Sequence, residues 1–168
     1  LYHEIFGITG VPSRILDLGC GLNPASIAFM NILEKKCSYY AYDINVKEKQ
    51  LLARFFEQAH GLYSSFTGKS NYLNLLEVEK IPTLPSVDVT FLFKVTDILD
   101  AGKGHKKTED IITQLKSPFI VLSFPTKTMS GKKMTAPKRN WVTLLCKRLG
   151  YTFEVLEYEN EIVYIIGK

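Results

Sequence analysis

The strongest constraint on this chain is an alternation between two hydrophobic periods. Four short apolar runs read as buried strands: residues 13–18 (SRILDL), 37–43 (CSYYAYD), 87–95 (VDVTFLFKV) and 119–124 (FIVLSF). Residues 65–74 predict a weaker strand between the second and third of these. Helical spacing fills the gaps. Pro24 opens a helix running to about Asn31. Leu51, Leu52, Phe55, Phe56 and Ala59 define one over 46–60, with Gly61 as its terminator. Residues 108–115 predict a short helix capped by Thr108, and 136–149 another that ends at Gly150. Pro82 and Pro85 mark 77–86 as a loop, 102–107 is a basic loop, and 125–137 is a long basic connection. Residues 151–158 and 161–166 form a hairpin about Glu159 and Asn160. This order predicts an α/β fold: a mostly parallel seven-stranded sheet with helices on both faces, closed by an antiparallel hairpin. A chain of 168 residues is one domain's worth.

The sharpest local signal is Asp17-Leu18-Gly19-Cys20-Gly21-Leu22-Asn23-Pro24, which follows a strand and opens a helix. Gly19 and Gly21 permit a tight turn and a close approach of the backbone to a ligand. A dinucleotide site would carry a third glycine where Asn23-Pro24 stands, and Pro24 lacks an N–H that a phosphate would want. An acid ahead of the glycines suits an amino group better. Asp17 can accept from the ammonium of the methionyl end of S-adenosylmethionine (SAM); the plainer alternative is a structural turn with a surface acid. Asp43, at the end of the second strand, can accept both hydroxyls of a ribose. It can instead cap the next helix, although Asn45 is the closer cap. Asn74 can bond an adenine edge or be an ordinary loop polar residue. Phe93 and Lys94, at the end of the fourth strand, should lie beside the ligand, because ligands sit at the carboxyl ends of parallel strands.

Charge is unevenly spread. The net charge is +4, yet residues 101–150 hold eleven Lys and Arg against two acids. That excess predicts either a polyanion-binding face or a merely solvated one. Candidate RNA contacts are Lys103, Lys106 and Lys107 on one loop and Lys127, Lys132, Lys133, Lys138 and Arg139 on another. Trp141 either stacks on a base or belongs to the core. Cys20, Cys37 and Cys146 lack metal-ligand spacing and read as reduced thiols of a cytoplasmic protein, with no metal expected. His3, His60 and His105 read as surface histidines. No membrane span or secretory signal is expected, and a monomer is favoured.

These residues together resemble one family. The turn GCGLNP, YDI at Tyr42 to Ile44 and FLFK at Phe91 to Lys94 are similar to the Arm/Rmt aminoglycoside-resistance methyltransferases. So are Ser123-Phe124-Pro125-Thr126-Lys127 and Ser130-Gly131-Lys132-Lys133-Met134. The similarity runs from Tyr2 to the hairpin, where 161–166 resembles the family's ELVYI ending. It implies a Rossmann-like, SAM-dependent methyltransferase fold and methylation of N7 of a guanine in 16S ribosomal RNA of the 30S subunit. It implies that Asp17, Gly19, Gly21 and Asn23 form the methionine-side loop, that Asp43 with Ile44 beside it serves the ribose, and that Asn74 serves the adenine. Ser123, Phe124 and Pro125 would border the target base, and Trp141 matches a tryptophan in the following helix. Two departures stand out. Met134-Thr-Ala-Pro-Lys-Arg-Asn140 replaces an acidic run, and most of the family's N-terminal helical extension is missing, so 1–168 is expected to be the catalytic domain alone.

Guanine N7 carries an in-plane lone pair and needs no deprotonation, so no general base is expected and catalysis would come from alignment. The alternatives are a SAM enzyme acting on another RNA or a small molecule, a non-catalytic RNA-binding relative, and a dinucleotide-binding module. The basic third disfavours a small-molecule substrate, the acids Asp17 and Asp43 disfavour loss of SAM, and Asn23-Pro24 disfavours a dinucleotide.

Overall fold

The computed structural model describes residues 1–100, 104–128 and 130–168. Its strands are β1 (Arg14–Leu18), β2 (Cys37–Asp43), β3 (Phe66–Tyr72), β4 (Val89–Phe93), β5 (Phe119–Pro125), β6 (Thr152–Glu157) and β7 (Glu161–Gly167). They form one sheet in the order β3-β2-β1-β4-β5-β7-β6. The first five are parallel, and β7 runs antiparallel to both β5 and β6. The expected α/β architecture, with its antiparallel closing hairpin, is therefore present.

Position in the sheet explains the strength of each strand signal. β1, β4 and β5 are buried nearly throughout, because both of their faces are covered. β3 and β6 are the two edges, and their burial only alternates. That is why 65–74 reads weakly in sequence. Gly68 in β3 also lets the Phe56 ring lie directly on the strand: a Cβ there would sit 2.1 Å from Phe56 Cδ1. One core layer gathers Ile5, Ile15, Tyr39, Phe56, Phe66 and Phe91, the other Leu16, Leu92, Ile111, Leu122, Phe124 and Tyr164. Each such side chain, fully buried, contributes roughly 1.5–3 kcal/mol.

The helices are α1 (Tyr2–Thr9), α2 (Val46–Leu62), α3 (Thr96–Asp100), α4 (Lys106–Gln114) and α5 (Asn140–Leu149). Several depart from the sequence expectations. α1 and α3 carry too few residues for a periodic signal. The segment after the glycine turn, Asn23–Phe29, is a 3-10 helix, and so is Val78–Thr83 inside the expected loop. α2 runs through Gly61 and ends at Leu62, since Gly61 keeps a right-handed φ. α4 is not capped by Thr108. The buried carboxylate of Asp100 does that work, accepting from the N–H groups of Lys107 and Thr108 and from Thr108 Oγ1 at 2.6 Å. α5 starts four residues late, because the Arg139 guanidinium ties up the carbonyls of Ala136 and Pro137 in a non-helical lead-in.

Candidate functional site

The glycine turn leaves β1 at its carboxyl end. Gly19 and Gly21 adopt φ 63 and 47, and the N–H groups of Gly19 and Cys20 both donate to the Tyr42 carbonyl of β2. Beside this turn lies a cavity of about 340 Å³, within the range of small-ligand sites. It is lined by Gly19 just after β1, Asp43 at the end of β2 with Ile44 after it, Asn74 beyond β3, and Phe93 at the end of β4 with Lys94 and Val95 after it. It sits where parallel strands end, the position expected for a ligand. Six of the nine residues assigned to cofactor binding in the sequence are thus brought together.

Asp43 is the pivot. One carboxylate oxygen accepts from Gly21 N–H and the other from Asn45 N–H, both at 2.8 Å. It is not the cap of α2, since Asn45 Oδ1 accepts from Lys47 and Glu48. Each Asp43 oxygen keeps a lone pair for a further donor. Asn74 Oδ1 accepts from Leu76 N–H in a local turn, and the residue lines the cavity. Ile44, Leu76 and Ile98 stand 57, 51 and 74 % exposed around the mouth. Exposed apolar side chains ringing a cavity mark a surface made for a flat apolar ligand.

Asp17, Gly21 and Asn23 do not line the cavity. Asp17 is buried rather than a surface acid. Its Oδ2 accepts from Tyr39 Oη at 2.6 Å and from Asn23 Nδ2 at 2.9 Å, while its Oδ1 is buried without a partner. Asn23 Oδ1 accepts from Tyr2 Oη, which links α1 to the turn. Burial pushes the Asp17 carboxyl up to about 6, against the opposing pull of Tyr39 and Asn23. The folded state therefore holds this proton more tightly than the unfolded chain. Stability should fall as pH rises from about 4 to about 6, then level off. Asp17→Asn is expected to flatten that segment and to recover roughly 1–3 kcal/mol at pH 7 relative to wild type. Denaturant titrations at pH 4, 5, 6 and 7 check this; parallel curves for the two proteins would remove the assignment.

The candidates at the target-base side need correction. Ser123 and Phe124 are fully buried, and only Pro125 is partly exposed. Phe124 lies under the Arg139 guanidinium at 5.0 Å and edge-on to Trp141 and Tyr164. Trp141 is half-buried against the core, with one ring face covered by His105 at 4.1 Å. Its two readings resolve toward packing. His105 is thus half-buried, whereas His3 and His60 are exposed. Cys20, Cys37 and Cys146 are buried free thiols, pushed upward by burial.

Among the basic candidates, Arg139 pairs with Asp97 at 2.8 Å, Lys127 with Glu159 at 2.7 Å and Lys138 with Glu157 at 2.6 Å. Lys106, Lys107, Lys132 and Lys133 are exposed. Lys103 lies outside the described residues. The connection after β5 folds into a small hairpin, with Lys127 bridging Lys133 and Thr128 N–H donating to the Lys132 carbonyl. Sequence reasoning missed Tyr2, Tyr39, Val95, Leu75 and Glu161. Apolar residues directly after a strand end were the one available signal, for Leu75 and Val95. Among the described residues no helix is long and apolar enough to cross a membrane.

A 16S rRNA (guanine(1405)-N(7))-methyltransferase of Frankia casuarinae is 30% identical over 182 residues, covering 99% of this chain and 56% of the relative. One from Proteus mirabilis is 26% identical over 171 residues, covering 100% and 58%. The chain thus spans a little over half the length of these curated relatives. The structure of the 16S rRNA methylase ArmA superimposes with a TM-score of 0.75 at 28% identity, covering 99% of this chain and 79% of that one. The 16S rRNA methyltransferase RmtF, solved with S-adenosyl-L-homocysteine, gives 0.72 at 21% identity, covering 99% and 60%. The family model described as Ribosomal RNA methyltransferase (FmrO) matches residues 1–165, and the chain belongs to that family.

Proposed function

We propose that this chain transfers the methyl group of SAM to N7 of a guanine in 16S ribosomal RNA of the small subunit. The observation that carries the reading is the cavity at the ends of β1, β2 and β4, with the Asp43 carboxylate at its edge, in a chain that matches the family along nearly its whole length. The residues present fit SAM. Asp43 has acceptor capacity left for two ribose hydroxyls, and Asn74 has an amide nitrogen for an adenine acceptor. Ile44, Leu76 and Ile98 offer apolar surface to the adenine ring. Asp17 Oδ1 is a buried acceptor in need of a donor beneath the turn, and an ammonium, through a water, is one such donor. Pro24 and the 3-10 helix after the turn give no row of free N–H groups for a pyrophosphate.

SAM supplies a methyl group activated by a sulfonium. The chain's own residues bind and align. Asp43 fixes the sugar, the Gly19 backbone lets the chain pass close to the ligand, and Val95 packs on Gly19 to hold that wall in place. No side chain has to remove a proton, because the guanine lone pair is free. Asp43 and Asn74 would hold SAM while its S–C bond is exchanged for the new N–C bond, and the positive charge would pass from sulfur to the purine. Orientation is the whole contribution expected of the protein.

Tritiated methyl transfer from SAM to 30S subunits, with mapping of the modified base, tests the reaction. Label found on adenine or on protein would defeat it. RNA docking is assigned to Lys106, Lys107, Lys132 and Lys133 first, since Lys127, Lys138 and Arg139 are held in ion pairs. Lys132→Ala with Lys133→Ala is expected to weaken 30S binding about 5–10-fold at moderate salt and to reduce the log–log salt slope by about 2. SAM affinity should not change. An equal loss of both affinities in calorimetry would mean that the hairpin is structural.

A further inference from the structure

The strand order lays the cavity out as a line. Asn74 lies beyond β3, Asp43 ends β2, Gly19 follows β1, and Phe93, Lys94 and Val95 end β4. If Asn74 and Asp43 held the nucleoside end of SAM, the methyl-bearing end would lie toward Phe93 and Lys94. An acceptor base must then enter over the next strands, β5 and β7.

Two observations single out one side chain at that entrance. Lys94 has φ 55, a left-handed conformation that a lysine adopts only when its surroundings impose it. Its N–H donates to the Ser123 carbonyl of β5 at 3.0 Å, which holds the residue in that conformation. Its ammonium then reaches past the end of β5 to Glu161 Oε2, 3.2 Å away at the first residue of β7. The Glu161 side chain is 16% exposed and the Lys94 side chain 49%. A firmly seated carboxylate thus holds a half-open cation over the strand end where the base has to sit. An ammonium has three donors, and Glu161 occupies one of them.

We propose that Lys94, held by Glu161, is the residue that selects guanine, donating from Nζ to O6 of the base whose N7 receives the methyl group. The assignment rests on the guanine-N7 reading above. On that edge guanine presents two acceptors, N7 and O6, whereas adenine presents N7 beside an N6 donor. N7 must stay free to attack, so recognition falls to O6. An adenine would set its amino group against the ammonium, donor against donor. An isolated ammonium would also oppose the positive charge that the purine acquires. Glu161 makes the pair neutral, so the donor is kept without a net like charge beside the product.

The test uses 30S subunits whose 16S rRNA carries guanine or 2-aminopurine at the methylated position. 2-Aminopurine retains N7 and has hydrogen in place of O6. Wild type should prefer guanine by about 10–100-fold in kcat/KM. Lys94→Met keeps the stem and removes the donors. It should bring the guanine rate down to the 2-aminopurine rate at saturating SAM, mainly in kcat and with the thermal midpoint retained; Lys94→Arg should restore part of the preference. An equal loss on both bases overturns the assignment. If Lys94→Met fails to fold, Glu161→Gln carries the test: the preference should narrow about threefold or more, and an unchanged ratio overturns it. Guanine methylated by wild type with an unaltered preference in the variants defeats Lys94 alone. No transfer to guanine N7 by wild type defeats both readings together.

Discussion

Asp43→Ala is expected to weaken SAM binding by 100-fold or more, the largest loss of affinity from any single side chain at the site. Two ribose hydroxyls donating to one carboxylate are charge-assisted hydrogen bonds, each worth about 1.5–3 kcal/mol. Together they amount to roughly 3–6 kcal/mol, or about two to four decades in Kd. The substitution also orphans the N–H groups of Gly21 and Asn45, which meet the carboxylate at 2.8 Å, so the glycine turn loosens as the sugar contact disappears. Asp43→Asn separates the two effects. It can still accept from one of the two backbone groups, but it offers one acceptor oxygen where the carboxylate offers two. Its affinity should fall between those of wild type and the alanine variant. Calorimetry with SAM and with S-adenosylhomocysteine reads both losses, and denaturant unfolding shows whether the alanine variant still folds cooperatively. A folded Asp43→Ala protein that binds SAM normally would end the ribose assignment.

The site was legible in sequence where a residue acts through backbone geometry or through its position at a strand end. Gly19 follows a buried strand, and Asp43, Phe93 and Lys94 terminate strands whose apolar runs are unmistakable, so their convergence at one end of the sheet follows from parallel topology. Contacts between elements distant in sequence were not legible. Nothing in the spacing of Asp17 shows that Tyr39 and Asn23 turn its carboxylate inward, or that Tyr2 reaches Asn23 across 21 residues. The same holds for Asp100, whose role as the cap of α4 depends on how α3 packs. The Ser-Phe-Pro segment misled for a related reason. A strand flanked by β4 and β7 buries alternate residues on both faces, so Ser123 and Phe124 go into the core. Charge counts overestimated the free cations of the basic third, since three of the candidates are neutralised by Glu157, Glu159 and Asp97.

Gly19→Ala should both destabilise the fold and close the cofactor cavity, and a second substitution separates the causes. At φ 63 any L side chain is strained, at a cost of roughly 1–2 kcal/mol. The new Cβ would also stand 2.7 Å from Val95 Cγ2 and 3.5 Å from Leu75 Cδ1, and both residues line the cavity. Overpacking of this kind adds about 1–3 kcal/mol. The expected total is about 2–5 kcal/mol in unfolding free energy, with a loss of SAM affinity of 100-fold or more as the cavity wall is pushed inward. Val95→Ala removes the colliding methyl groups. In the double variant the overpacking part of the loss should return, in stability and in affinity alike, while the backbone strain persists. Gly10→Ala supplies the reference for strain alone, since Gly10 has φ 75 and nothing within 4 Å of its Cβ position. A coupling energy near zero between positions 19 and 95 would mean that the turn moves away from β4 at no cost. In that event the cavity wall is not the rigid surface on which the placement of SAM depends.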